Sequence, residues 1–213
     1  MKQRVFNLII LDESGSMNSI EKQAINGVNE TVQTIRAAQK KHPEQEHLVS
    51  LVSFNSGAVK TIYDKVEAER VEELSDKQYI PDCCTPLYDA MGNAINALRK
   101  SVADDDAVLV TIITDGYENA SSEYNGPAIK KLVETMKSKG WTFIYIGANQ
   151  NVEAVASTIS ITNTLCFAAN EEGTSAMFAQ ERKARNRWFD RLASKIAPSM
   201  MADGYFDDED DDK

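Results

Sequence analysis

Short apolar runs alternate with segments of helical periodicity along most of this chain, and that alternation restricts the fold more than any other feature. Residues 5–11 and 108–114 are apolar almost throughout, as expected of strands buried on both faces. Residues 48–54, 142–146 and 164–167 read as further strands. Residues 55–57 form a turn signal, and 58–63 read as an antiparallel hairpin partner at a sheet edge. Between the strands lie helical stripes. Ile20, Ala24, Val28, Val32 and Ile35 share one face, and Asn18 with Glu21 reads as a capping box at its start. Thr85-Pro86 opens a second helix, with Thr85 as cap and Leu87, Met91, Ile95, Leu98 and Val102 inward. Residues 127–139, with Ile129, Leu132, Val133 and Met136 inward, read as a helix ended by Gly140. Residues 152–159 give a short helix. A last helix at 174–194 turns Met177, Phe178, Ala184, Trp188, Phe189 and Leu192 to one side. Residues 64–80 carry no clear pattern. The sum is an α/β domain: a mostly parallel central sheet with one antiparallel edge strand and helices on both faces.

The 213 residues suit one such domain, placed at 1–197, with an acidic, disordered tail at 198–213. Half of the net charge of −10 lies in the last seven residues, so neither part offers the basic footprint of a nucleic-acid binder. No run approaches the ~20 apolar residues of a membrane span, and the N-terminal run is too short for a signal peptide. Three cysteines argue against a disulfide framework and for a reducing compartment. A cytoplasmic monomer, away from membranes, is the expectation.

In parallel sheets of this kind, ligands bind outside the carboxyl ends of the strands, where the winding changes direction. Three polar clusters fall at such ends or at helix starts: Asp12-Glu13-Ser14-Gly15-Ser16, Thr85 and Asp115. Asp12, Ser14, Ser16, Thr85 and Asp115 form an all-oxygen set, the kind a hard cation such as Mg²⁺ takes, with Mn²⁺ or Ca²⁺ as alternatives. Two carboxylates at most neutralise the ion, so it would attract a further carboxylate from outside.

Asp12-x-Ser14-x-Ser16, Thr85 opening a helix, and Thr114-Asp115-Gly116 closing a strand together resemble the metal-ion-dependent adhesion site of von Willebrand factor type A domains. The resemblance spans roughly residues 4–195. It implies a Rossmann-like fold of that type, direct metal contact from Ser14, Ser16 and Thr85, and contact through water from Asp12 and Asp115. It implies a binding module rather than an enzyme, with a protein partner presenting a Glu or Asp to the metal. The short length and missing signal peptide make the chain similar to small intracellular bacterial members of the tellurite-resistance type. Cys83-Cys84 departs from the family, which often has small residues such as Gly before the threonine. The alternative is a Mg²⁺-dependent phosphohydrolase with Asp12 as nucleophile. That chemistry usually needs an acid/base Asp two residues later, where Ser14 stands.

Other residues read more plainly. Glu13 is expected at the surface, within reach of the site's rim. Glu118 and Asn119 read as solvated loop, and Cys83-Cys84 as reduced thiols. His42 and His47 show no partner acids. Arg182, Lys183, Arg185, Arg187 and Arg191 read as a solvated basic face of the last helix.

Overall fold

The apolar run at residues 5–11 becomes the middle of β1 (Gln3–Asp12), the strand around which a six-stranded sheet is built in a computed structural model that describes residues 2–148 and 151–207. β2 (Gln45–Asn55) and β4 (Ala107–Thr114) flank β1 in parallel. β3 (Ala58–Glu67) pairs antiparallel with β2 at one edge, while β5 (Thr142–Ala148) and β6 (Asn163–Phe167) extend the sheet on the other side. The order is β3-β2-β1-β4-β5-β6. The chain leaves β1 first toward β2 and later returns to β4 on its other side. The winding therefore reverses at the carboxyl ends of β1 and β4, the place where sheets of this kind bind ligands.

β1 is buried on both faces because helices cover both, and alternate side chains supply two cores. Val5, Ile9 and Leu11 pack with α1 (Glu21–Lys41) and α5 (Glu171–Ala193). Phe6, Leu8 and Ile10 pack with α2 (Leu87–Leu98), α3 (Gly126–Lys137) and α4 (Val152–Thr158). The stripe Ile20, Ala24, Val28, Val32 and Ile35 is buried as the periodicity requires. The capping box is not formed. A 3₁₀ turn at Gly15–Ile20 precedes α1, and the Asn18 amide donates to the carbonyls of Gly15 and Pro81 (2.9 and 3.1 Å). Val102 lies beyond the end of α2 and is half-buried. No helix among the described residues is long and apolar enough to cross a membrane.

Two expectations fail at the C-terminal end. The domain does not stop at residue 197: Met201 and Tyr205 are buried in the core. Asn163 on β6 holds this strap, donating to Ala202 O (2.8 Å) and accepting from the Tyr205 N–H (3.0 Å). The apolar residues between 198 and 206 set this strap apart from the acidic run that follows it. The acidic residues 208–213 lie outside the described residues. The basic face of α5 is likewise not wholly solvated. Arg185 is fully buried and donates to Glu181 (Nε–Oε1 2.8 Å), to Asn7 Oδ1 on β1 (3.2 Å) and to Thr111 Oγ1 on β4 (2.8 Å). The Tyr205 hydroxyl donates to the same Glu181 oxygen (3.0 Å). Burial lowers the Arg185 pKa, but the Glu181 carboxylate outweighs it and holds the guanidinium charged. Nor does His42 lack an acid: its Nε2 lies 2.8 Å from Asp190 Oδ1 on α5. His47 is buried edge-on against Phe189, and burial pushes its pKa down to about 3.

Candidate metal centre

Asp12 ends β1 and Thr114 ends β4. Since Leu11 is in register with Ile113, the two side chains meet across the strand gap. The Thr114 hydroxyl donates to Asp12 Oδ2 (2.6 Å), and the Ser14 N–H donates to Oδ1 (2.7 Å). Ser14 Oγ and Ser16 Oγ are 3.2 Å apart, and Ser16 Oγ donates to Asp115 Oδ1 (2.5 Å). Thr85 comes from a third segment. A Cβ built on Gly116 would stand 2.9 Å from Thr85 Oγ1, 3.6 Å from Ser16 Oγ and 3.7 Å from Asp12 Oδ2. Three of the five residues singled out from the sequence therefore surround one small space over Gly116, and Ser14 and Asp115 are bonded to Ser16. Thr85 does not cap its helix; its hydroxyl is turned to this space instead.

Asp12 is kept from water and Asp115 is half-buried. Burial pushes the Asp12 carboxyl up to about 6, against the opposing hydrogen bonds from Thr114 and Ser14, and the nearby Asp115 adds to the rise. Burial also raises Asp115, with the Ser16 hydroxyl opposing it. Among the described residues neither acid has a Lys, Arg or His partner within salt-bridge distance. No group of three or more His, Cys, Asp or Glu side chains is placed to hold a metal among the described residues. A cation at this point would depend on hydroxyls and at most two carboxylates, a set suited to a hard divalent ion and not to a soft one.

Much of the support for the site was not visible in the sequence. Glu13 is fully buried rather than at the surface. Its carboxylate accepts from Ser53 Oγ on β2 (2.7 Å), Lys60 Nζ on β3 (2.6 Å) and the Ile80 N–H (2.7 Å), which ties the Asp12 loop to two strands and to the loop before α2. The buried Tyr79 hydroxyl donates to the Asp12 carbonyl (2.6 Å), and burial drives its pKa well upward. Asn119 accepts from the Thr85 N–H (2.8 Å) and its own N–H donates to the Thr85 carbonyl (3.1 Å). Glu118 accepts from the N–H groups of Tyr88, Ala120 and Ser121. These two residues brace the Thr85 and Asp115 loops, although Asn119 is exposed as a solvated loop residue would be. Only the partners' positions, tens of residues away, would have revealed this. Cys83 and Cys84 are exposed thiols whose backbone does the work: the Gly15 N–H donates to Cys83 O and the Ser56 N–H to Cys84 O (3.0 Å each). Cys83 takes a φ of 66°, in the region that favours glycine. The departure from small residues before Thr85 is thus accommodated in a glycine-like conformation.

The profile of the family described as von Willebrand factor type A domain matches residues 8–181. A search of curated protein sequences gives no match. Among solved structures, the chain is similar to a D319A mutant of the PilB minor pilin from Streptococcus sanguinis, with a TM-score of 0.64 and 15% identity. That match covers 93% of this chain and 64% of the pilin, so the chain spans less than two thirds of that protein's length. It is also similar to the vWF domain of the type V pili tip protein Mfa5 from Porphyromonas gingivalis, with a TM-score of 0.60 and 13% identity over 89% of this chain and 97% of that one. The SpRpn10 VWA domain matches with a TM-score of 0.56 and 9% identity over 85% of this chain and 95% of that one. At these identities the likeness concerns the fold.

Proposed function

This chain belongs to the von Willebrand factor type A domain family, and from that premise we propose that it is a metal-dependent protein-binding module in which Asp12, Ser14, Ser16, Thr85 and Asp115 hold Mg²⁺ to capture an acidic side chain of a partner protein. The observation that carries this reading is the meeting of hydroxyl and carboxylate oxygens from three segments around Gly116, with two acids and no cationic side chain among them. The donor chemistry fits Mg²⁺, and Mn²⁺ or Ca²⁺ accept the same atoms. When bound, the ion supplies a charge that the site does not over-balance, and hence an attraction for one more carboxylate. Ser14, Ser16 and Thr85 contribute neutral oxygens, which leaves that charge undiminished. Asp12 and Asp115 contribute the only negative charges. Glu13 adds none, because Lys60 balances it.

The phosphohydrolase alternative is weakened by the surroundings of Asp12. Both of its carboxylate oxygens accept short hydrogen bonds, which lowers their nucleophilicity, and Ser14 offers no acid/base carboxyl. The exposed thiols of Cys83 and Cys84 support a cytoplasmic location, which fractionation of the source cells would check.

Because a ligand bound only by the native state stabilises it, millimolar Mg²⁺ should raise Tm, by the equivalent of about 2.7 kcal/mol at a hundredfold excess over Kd. Asp12→Ala should fold and lose that rise. An unchanged wild-type Tm across Mg²⁺, Mn²⁺ and Ca²⁺ would sink the reading.

A further inference from the structure

We propose that the partner offers its carboxylate as a lone acid beside an apolar side chain, which packs on Ile80 or Tyr117 at the rim of the site; this rests on the metal-bridge reading above. Four large apolar side chains are exposed among the described residues, Val59, Ile80, Tyr117 and Met200, and two of them are joined directly to the site. Tyr117, 57% exposed, follows Gly116, the residue over which the site's oxygens meet. Ile80, 58% exposed, donates its N–H to the Glu13 carboxylate, one residue along the chain from Asp12. The same carboxylate binds Ser53 of β2 and Lys60 of β3, so Ile80 stands on the β2–β3 side of the site. Tyr117 leaves β4 on the opposite side. The oxygens lie between two apolar knobs.

Ile80 is not left outside for want of a core. Tyr79 and Pro81, on either side of Ile80, are buried. Beside one site, the two knobs offer apolar surface to whatever binds there.

The charges of the rim point to the same partner. In the four loops that frame the site, residues 14–19, 55–57, 80–85 and 115–119, Asp82 is the one exposed charged side chain. The remaining exposed positions are hydroxyl, amide, thiol, glycine or the two apolar knobs. These loops offer no Lys or Arg to a second carboxylate. A run of acids would set its surplus charges beside Asp82 and the site's own two acids, while Lys60 on that side is already paired with Glu13. An apolar neighbour instead covers Ile80 or Tyr117 and removes both surfaces from water. An aromatic at a binding rim provides large contact area at low entropic cost.

The test is selection of a phage-displayed random dodecapeptide library on the full chain in Mg²⁺, with elution by EDTA. The wild type should enrich peptides with a single Asp or Glu within two positions of Leu, Ile, Phe or Trp. The double variant Ile80→Ser, Tyr117→Ser should still enrich the acid but without the apolar neighbour. The best wild-type peptide should bind that variant on the order of tenfold more weakly, as loss of one buried apolar contact implies. Both changes are at exposed positions, so a metal-free melting curve matching the wild type would show that the fold is kept. Enrichment of acid runs by the wild type, or an unchanged Kd for the double variant, would overturn the proposal. Failure to enrich any acid that EDTA releases would overturn the metal-bridge reading beneath it, and the proposal with it.

Discussion

Beneath the α5 face of the sheet, Glu181 is buried against Arg185, which also reaches Asn7 on β1 and Thr111 on β4. At the carboxyl ends of the same two strands, Asp12 is buried and Asp115 half-buried, and both meet hydroxyls and backbone N–H groups instead of a cation. The contrast extends to other buried acids. Asp106 has Arg4 and Glu13 has Lys60. Asp89 has no cation, yet three backbone N–H groups outweigh its burial and hold its pKa below the usual range. Where an acid is part of the framework, the fold supplies a counter-charge or enough donors. At the ends of β1 and β4 it supplies neither in full, and both acids there are pushed upward. Acids left under-compensated by their own chain are consistent with the positive charge proposed for this site.

The comparison can be broken at several points. The largest effect should come from Arg185→Met, which strips Glu181 of its cation in a fully buried setting. A loss of about 3–5 kcal/mol in chemical denaturation is expected. A loss under 1 kcal/mol would mean that Glu181 does not depend on the pair.

Asp12→Asn should act in the opposite direction in metal-free protein. The folded pKa of Asp12, about 6, exceeds its ordinary value of 3.8, so the native state holds the extra proton between them. Stability is therefore lost as pH rises from near 4 through about 6, and the cost is complete above that. Replacing the acid by its neutral isostere should raise stability at pH 7.5 by about 2 kcal/mol and flatten the profile between pH 4 and 6. Metal-free melts across that range read both outcomes, and a destabilised Asn variant would contradict the contrast.

Lys60→Met should cost less, about 1 kcal/mol in urea denaturation, because its side chain is 42% exposed and Glu13 keeps Ser53 and the Ile80 N–H. A loss as large as that of Arg185→Met would show that Glu13 is as dependent on its cation as Glu181. Gly116→Ala should change stability least, by under about 1 kcal/mol, since one χ1 turn of the buried Thr85 relieves the contact. Its effect should fall on the site: a methyl 2.9 Å from Thr85 Oγ1 displaces that hydroxyl, and the Mg²⁺-induced rise in Tm should shrink or vanish. A full rise in the Ala variant would place the ion elsewhere.

Local rules made certain features readable in advance. The run at residues 5–11, apolar but for Asn7 and closed by Asp12, read as a doubly buried strand because it is too short for a buried helix. The stripe from Ile20 to Ile35 fixed a helix against the sheet. The oxygen-bearing residues Asp12, Ser14, Ser16, Thr85 and Asp115 stood out because each closes a strand or opens a helix. Other features depend on partners far along the chain, and periodicity cannot see those. Glu13 looked like a surface acid until Ser53 and Lys60 were folded beside it. Arg185 sits on the same side of α5 as Trp188, Phe189 and Leu192, and its charge made it look solvated. The strap after residue 197 looked like the start of a tail because the acidic run from Asp207 onward coloured the whole segment, while the burial of Met201 and Tyr205 decides the matter.

By itself the sequence determined that this chain forms a parallel α/β sheet and that a hard, all-oxygen set of side chains lies at its strand ends, because both follow from pattern and chemistry over short distances. The tertiary structure alone decided which acids receive a counter-charge. Charge compensation in a buried setting acts through space, and Glu13 and Asp12, neighbours in sequence, meet opposite surroundings once β2, β3 and β4 are in place.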